Sequence, residues 1–193
     1  SYGTGYVIKA DSAGQTEWLT ELDYSRPHHG QDIIQTLEGD YLLVGWWYVN
    51  AAETNQKSAF MARIGEGGSI QWTQRYGGDC DEDQFNAVVQ TDDGGFITVG
   101  EFEHEGDGFN CSFYGYMDLW FVKTDSEGNM VQEAKYGGPY WERATDIVPL
   151  PDGNYAVSGR KRHTKQHPIN AWLLKMSSTG SILWEWDEPD YSS

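Results

Sequence analysis

The chain has little cysteine: Cys80 and Cys111 are the only two in 193 residues. That excludes a disulfide-dense scaffold, and two thiols alone do not fix a redox compartment. There is no run of 18 or more apolar residues, which excludes a membrane-spanning helix and leaves no membrane partner to expect. Cationic charge is scarce as well. Thirteen Lys and Arg against 30 Asp and Glu leave a formal net charge of −17. A polyanion of this size repels phosphates and anionic surfaces, so nucleic acid is excluded as a partner. Solubility, cation binding, or neutral ligands such as sugars fit better. No segment carries a sustained 3.6-residue period, so no long helix is expected. The sequence begins at Ser1 without a Met or a signal-like stretch, which suggests a processed or trimmed chain.

What is abundant is aromatic: 15% Phe, Trp and Tyr within 38% hydrophobic residues. Disorder is excluded on that ground, and the length suits one domain with a sizeable core.

Those residues recur. YVIKADSAGQTEW from Tyr6, FMARIGEGGSIQW from Phe60, WFVKTDSEGNMVQ from Trp120 and WLLKMSSTGSILW from Trp172 share one pattern, at offsets of 54, 60 and 52 residues. Each opens on an aromatic. A basic residue follows (Lys9, Arg63, Lys123, Lys175), then a glycine (Gly14, Gly68, Gly128, Gly180). Trp18, Trp72 or Trp184 comes next, with Gln132 as the exception. A second unit lies between them: DIIQTLEGDYLLVG, AVVQTDDGGFITVG and DIVPLPDGNYAVSG. Short β-branched runs around a glycine turn are hairpin signals. A period near fifty with four strands marks a β-propeller blade. The expected fold is all-β, with about three and a half four-stranded blades in one domain. The repeats run over approximately 1–23, 24–76, 77–136 and 137–193.

The segments DGGFITVG, WFVKTDSEGN and YGGDCDEDQFNAVVQT resemble secreted propeller repeats of the type W-V-K-x-D-x-x-G…W…Y-G-G…I-I-Q-T-x-D-G-G-Y-I-V-x-G, distant relatives of kelch and WD40 repeats. The resemblance covers nearly the whole chain. It implies the fold and is almost silent on function, because propellers host binders, scaffolds and enzymes alike.

The count does not close. Fourteen strands leave a half blade at the front, whereas propellers need four to eight blades. If each bare end holds roughly 400 Å² of apolar surface, at about 25 cal/mol per Å² its exposure costs on the order of 10 kcal/mol. Three solutions are expected: trimming of a longer propeller or completion by a partner chain, a homodimer, or a compact ring with one thin blade.

Alternating strand direction puts the second-to-third and fourth-to-first connections on one face and the tight glycine turns on the other. All five histidines fall on the long-connection face: His28, His29, His104, His163 and His167. So do the aromatics Trp46, Trp47, Tyr48, Phe109, Phe113, Tyr114, Tyr116, Tyr140 and Trp141, expected in loops. Aromatic rings pack against sugar C–H faces while nearby polar groups bond the hydroxyls. Trp46, Trp47, Tyr48, His104, Tyr114, Tyr140, Trp141 and His163 are therefore the candidate ligand-binding residues. Packing between blades is the competing role for the rings. Asp79, Asp81 and Asp83 form an oxygen cluster that suits calcium, though without EF-hand spacing. No other cofactor is expected. Cys80 and Cys111 share that face and suit a disulfide, which would contribute about 3–4 kcal/mol if unstrained. Asn110-Cys111-Ser112 is a glycosylation sequon, pointing to an extracellular location.

The function expected is an extracellular, lectin-like, carbohydrate-binding propeller. A structural or interaction piece of a larger extracellular propeller is one alternative. A glycoside hydrolase or lyase is another, resting only on acidic stretches such as Glu101, Glu103, Glu105 and Asp107.

Overall fold

The computed structural model describes residues 5–22, 28–50, 53–78, 82–103, 117–164 and 169–188. Fourteen strands run in chain order: β1 (Tyr6–Ala10), β2 (Thr16–Glu21), β3 (His28–Gln35), β4 (Tyr41–Asn50), β5 (Glu53–Ile64), β6 (Ile70–Tyr76), β7 (Gln84–Gln90), β8 (Phe96–Glu103), β9 (Met117–Thr124), β10 (Met130–Tyr136), β11 (Glu142–Pro149), β12 (Tyr155–Lys161), β13 (Asn170–Met176) and β14 (Ile182–Asp187). They form one two-stranded and three four-stranded antiparallel sheets, each a simple meander: β1–β2, β3–β6, β7–β10 and β11–β14. No helix occurs among the described residues.

The sheets pack face to face in sequence order, with a separate core in each gap. Val7, Leu22 and Trp18 meet Leu43, Phe60, Ala62 and Ile64 in the first gap. Leu42, Val44 and Met61 meet Phe85, Phe96, Trp120 and Val122 in the second. Ile97, Val99, Leu119 and Phe121 meet Ile147, Val157, Trp172 and Leu174 in the third. Burial follows directly. β8 (FITVGEFE) and β9 (MDLWFVKT) are apolar and buried almost throughout, because their sheet is covered on both faces. β13 (NAWLLKM) alternates buried and open, because only one face of the last sheet is covered.

The recurring residues have recurring jobs. The first two strands of each four-stranded sheet carry a bulge, at Gly30/Asp32, Phe85/Ala87 and Ala144/Asp146. There the backbones approach so closely that a Cβ at Gly45, Gly100 or Gly159 would overlap the carbonyl oxygen of His29, Gln84 or Arg143. The basic residue of the third strand reaches the carboxylate in the first hairpin turn. Arg63 Nε meets Asp40 at 2.9 Å, Lys123 meets Asp93 at 2.9 Å and Lys175 meets Asp152 at 2.5 Å. The first sheet has two strands among the described residues, and its Lys9 pairs with Glu17 at 2.8 Å. The opening aromatic faces the preceding sheet each time: Phe60, Trp120 and Trp172 are all buried. Trp120 and Trp172 even share a partner position, their Nε1–H groups donating to Glu133 at 3.1 Å and Glu185 at 3.0 Å.

These turn clamps are acid-labile. The Thr91 hydroxyl, Lys123 and the Gly95 N–H hold Asp93 down at about 2. Lys175 and Asn154 hold Asp152 at about 2 as well. Both lie below the ordinary value near 3.9, so their stabilising contribution is complete above about pH 4 and lost as pH falls through about 2. Both carboxylates are exposed, so a melting-temperature series from pH 5 to pH 2 is expected to show only a modest fall from them below pH 4. Asp93→Asn should flatten part of that fall.

Two strand boundaries differ from the sequence reading. β4 and β5 continue pairing past Gly45 through Trp46↔Ala59, Trp47↔Ser58 and Tyr48↔Lys57. β3 starts at His28, which pairs with Trp47. Trp46, Trp47, Tyr48, His28 and His29 therefore lie on strands and not in loops.

Candidate functional site

Strand alternation splits the first aromatic group. Trp47 points into the first gap, stacked on Phe60 at 5.6 Å and edge-on to His28 at 5.0 Å. It is half-buried and packs against the first core. Trp46 and Tyr48 lie on the opposite face. His29 stacks on Trp46 at 3.8 Å, Tyr48 meets it edge-on at 5.2 Å, and the Lys57 ammonium lies 4.9 Å from its centroid. Burial, and then Lys57, lower the His29 pKa, which keeps the stacked imidazole neutral. The indole of Trp46 is thus flanked by residues of both neighbouring strands, which leaves a ligand little ring face to cover.

Asp83 is fully buried, and its carboxylate accepts from backbone N–H groups: Gly78 at 3.0 Å and Glu103 at 3.1 Å. These bonds tie the Tyr76-Gly77-Gly78 element to the next sheet. Glu142 repeats the device, accepting from Gly138 N–H at 3.1 Å. No group of three or more metal-ligating side chains occurs among the described residues. Asp79, Asp81, Cys80, Cys111, His104, Asn110 and Tyr114 lie outside the described residues. The expected disulfide, calcium cluster and sequon thus fall on residues outside that description, apart from Asp83.

Tyr140 helps line a cleft of about 310 Å³. It is lined by the connection after β10 (residues 137–140), the end of β12 and the residues that follow it (Lys161, Arg162, His163), β14 (Ile182, Glu185), and Tyr136, Glu142 and Trp172. Of the sequence candidates, Tyr140 and His163 line it. Trp141 stands beside it and carries Arg162, whose guanidinium lies 5.7 Å from the ring centroid. Arg162 N–H also donates to the Trp141 carbonyl at 2.8 Å, which fixes the two segments together. His163 Nε2 pairs with Asp187 at 3.1 Å, and Lys161 lies 5.0 Å above Trp172 and 3.7 Å from Glu185. Arg162 makes no ion pair among the described residues, and its Nε is buried without a hydrogen-bond partner. Burial pushes the Glu142 carboxyl above its usual range, with Asp118 adding to the shift against the Gly138 N–H.

No family model and no curated protein sequence matches this chain.

Lys161, Arg162 and Trp172 were missed by the sequence reading. The signal for two of them was there: Arg160-Lys161-Arg162-His163 is a cationic run in a strongly acidic chain.

Proposed function

We propose that the stacked sheets are blades of a β-propeller and that the cleft at Tyr140, Arg162 and His163 binds an extracellular carbohydrate. The observation that carries this reading is the composition of the cleft. It places a partly open tyrosine ring beside a guanidinium with no carboxylate partner among the described residues, an imidazole and an ammonium. A ring face for C–H contact with polar donors at its rim is the arrangement that sugar recognition needs. Arg162 presents a planar fork of N–H donors, which favours sugars carrying a carboxylate.

A glycan array with neutral and uronic-acid ligands tests this. Acidic sugars are expected to bind best. Tyr140→Ala and Arg162→Ala should each weaken the best hit about tenfold or more, equal to about 1.4 kcal/mol, with melting temperature unchanged. A folded chain that binds no glycan, or variants with unaltered affinity, would sink the reading.

The interaction-piece reading has its own support in the open apolar faces of the first and last sheets, where Ile8, Leu19, Trp184 and Trp186 are exposed. Of the acidic residues behind the hydrolase reading, Glu101 accepts from Gln84 at 2.7 Å and pairs with Arg143 at 3.3 Å, and Glu103 accepts from the Glu82 N–H at 2.9 Å.

A further inference from the structure

Within the chain, the same contact joins successive sheets three times. The turn between the third and fourth strand of each sheet ends on a positive-φ glycine, and the preceding sheet covers it. At Gly68, the indole of Trp18 lies 2.8 Å from where a Cβ would stand, and Trp18 Nε1–H donates to the Glu66 carbonyl at 2.9 Å. At Gly128, the ring of Trp72 lies at 3.0 Å, and the Tyr76 hydroxyl donates to the Gly128 carbonyl at 2.5 Å. At Gly180, the Phe121 ring lies at 2.9 Å, and the Tyr136 hydroxyl donates to the Gly180 carbonyl at 2.8 Å. The glycines are required here because the turn needs φ near +80° and because the ring sits where a side chain would go.

Each end of the stack holds half of this contact. Gly14 is the equivalent glycine of the first sheet, with φ of 77°, and nothing among the described residues lies within 4 Å of its Cβ position. Trp184 is the residue equivalent to Trp18 and Trp72 on the last sheet, and it is 51% exposed. The apolar surroundings match. Leu173 beside Trp184 is 40% exposed, whereas its counterparts Met61 and Phe121 are fully buried. Ile8, beside the open turn, is 59% exposed, whereas its counterpart Ala62 is fully buried. The glycines of the other hairpin turns, Gly39, Gly94 and Gly153, are open in every sheet. Openness is therefore abnormal for Gly14 and not for them.

We propose that a second copy of this chain completes the contact, the Trp184 face of one copy seating on the Gly14 turn of the other. The two surfaces are the tail and head halves of an interface that the chain already builds three times. A tail-to-head contact is heterologous, and such contacts either close or propagate. Two copies bring eight sheets, six of them four-stranded, which falls within the range of closed propellers. The assembly is thus a two-chain ring, and it needs no pairing between the two-stranded sheets.

Sedimentation of the full chain at micromolar concentration is expected to give a particle of two 21.8 kDa chains. Trp184→Glu and Ile8→Glu should each weaken the association about 30-fold or more, the range of a central tryptophan contact. Both residues are exposed, so circular dichroism and melting temperature should show each variant folded. An equimolar mixture of the two variants should recover association, since one intact tail then meets one intact head. A wild-type monomer at 100 µM would overturn the proposal, with the concentration set on the order of typical weak self-association. So would a dimer that Ile8→Glu leaves intact, because it would place tail against tail.

Discussion

Gly77→Ala is expected to destabilise the chain by about 3–5 kcal/mol, adding backbone strain to the loss of a buried charge-assisted contact. Gly77 has φ of 91°, and a Cβ there would overlap the Asp83 carboxylate. That carboxylate cannot withdraw, because it accepts from Gly78 and Glu103 N–H across two sheets. Gly94→Ala is the control. Its φ is 81°, yet nothing lies within 4 Å of its Cβ position. It should cost only the left-handed penalty of about 1–2 kcal/mol. Urea denaturation with an unchanged m-value measures both. Equal losses in the two variants would show that Asp83 is not what makes Gly77 necessary.

Gly77 also shows how far the sequence could be read. The Tyr-Gly-Gly element was visible as a repeat, but its reason was not. The acid that locks it lies five residues beyond Gly78 in one copy and four beyond Gly138 in another, so no fixed spacing exposes it. The fourteen strands were legible because turn glycines, bulge glycines and the basic residue return at near-constant offsets. Each marks a backbone constraint that every sheet must satisfy. The hairpin extension past Gly45 was hidden for the opposite reason. Its returning strand opens with Glu53-Thr54-Asn55-Gln56-Lys57, a polar run without apolar alternation, and its pairing is set by the β4 partner. That is why Trp46, Trp47 and Tyr48 read as loop aromatics.

The cleft was legible only in fragments. Tyr140 and His163 were found as loop aromatic and histidine, but their neighbours come from three segments that no period links. Trp172 illustrates the difficulty. In sequence it is the aromatic that opens a repeat, a packing residue like Phe60. In the structure one edge of it floors the cleft while the rest fills the last core. Repetition reveals what all sheets share, and a binding site is where one sheet departs from the others.

Trp120→Ala is the second large effect, about 3–5 kcal/mol from the cavity it would leave. Trp120 is fully buried between the second and third sheets. It stacks on Phe85 at 5.0 Å and meets Phe102 at 5.4 Å, on strands β7 and β8 of its own sheet, and its Nε1–H donates to Glu133. Trp120→Phe separates the terms. It keeps most of the ring volume and drops the Glu133 bond, which ends on a half-open carboxylate, so it should cost only about 1–2 kcal/mol. Tyr6 is the counterpart of Trp120 on the first sheet, and it is 54% exposed. Tyr6→Ala should therefore cost less than 1 kcal/mol in an isolated chain. In the two-chain ring that residue stands at the seam, and its truncation should cost more as protein concentration rises. A loss at Tyr6 that is large and independent of concentration would mean that the first sheet is covered within the chain itself.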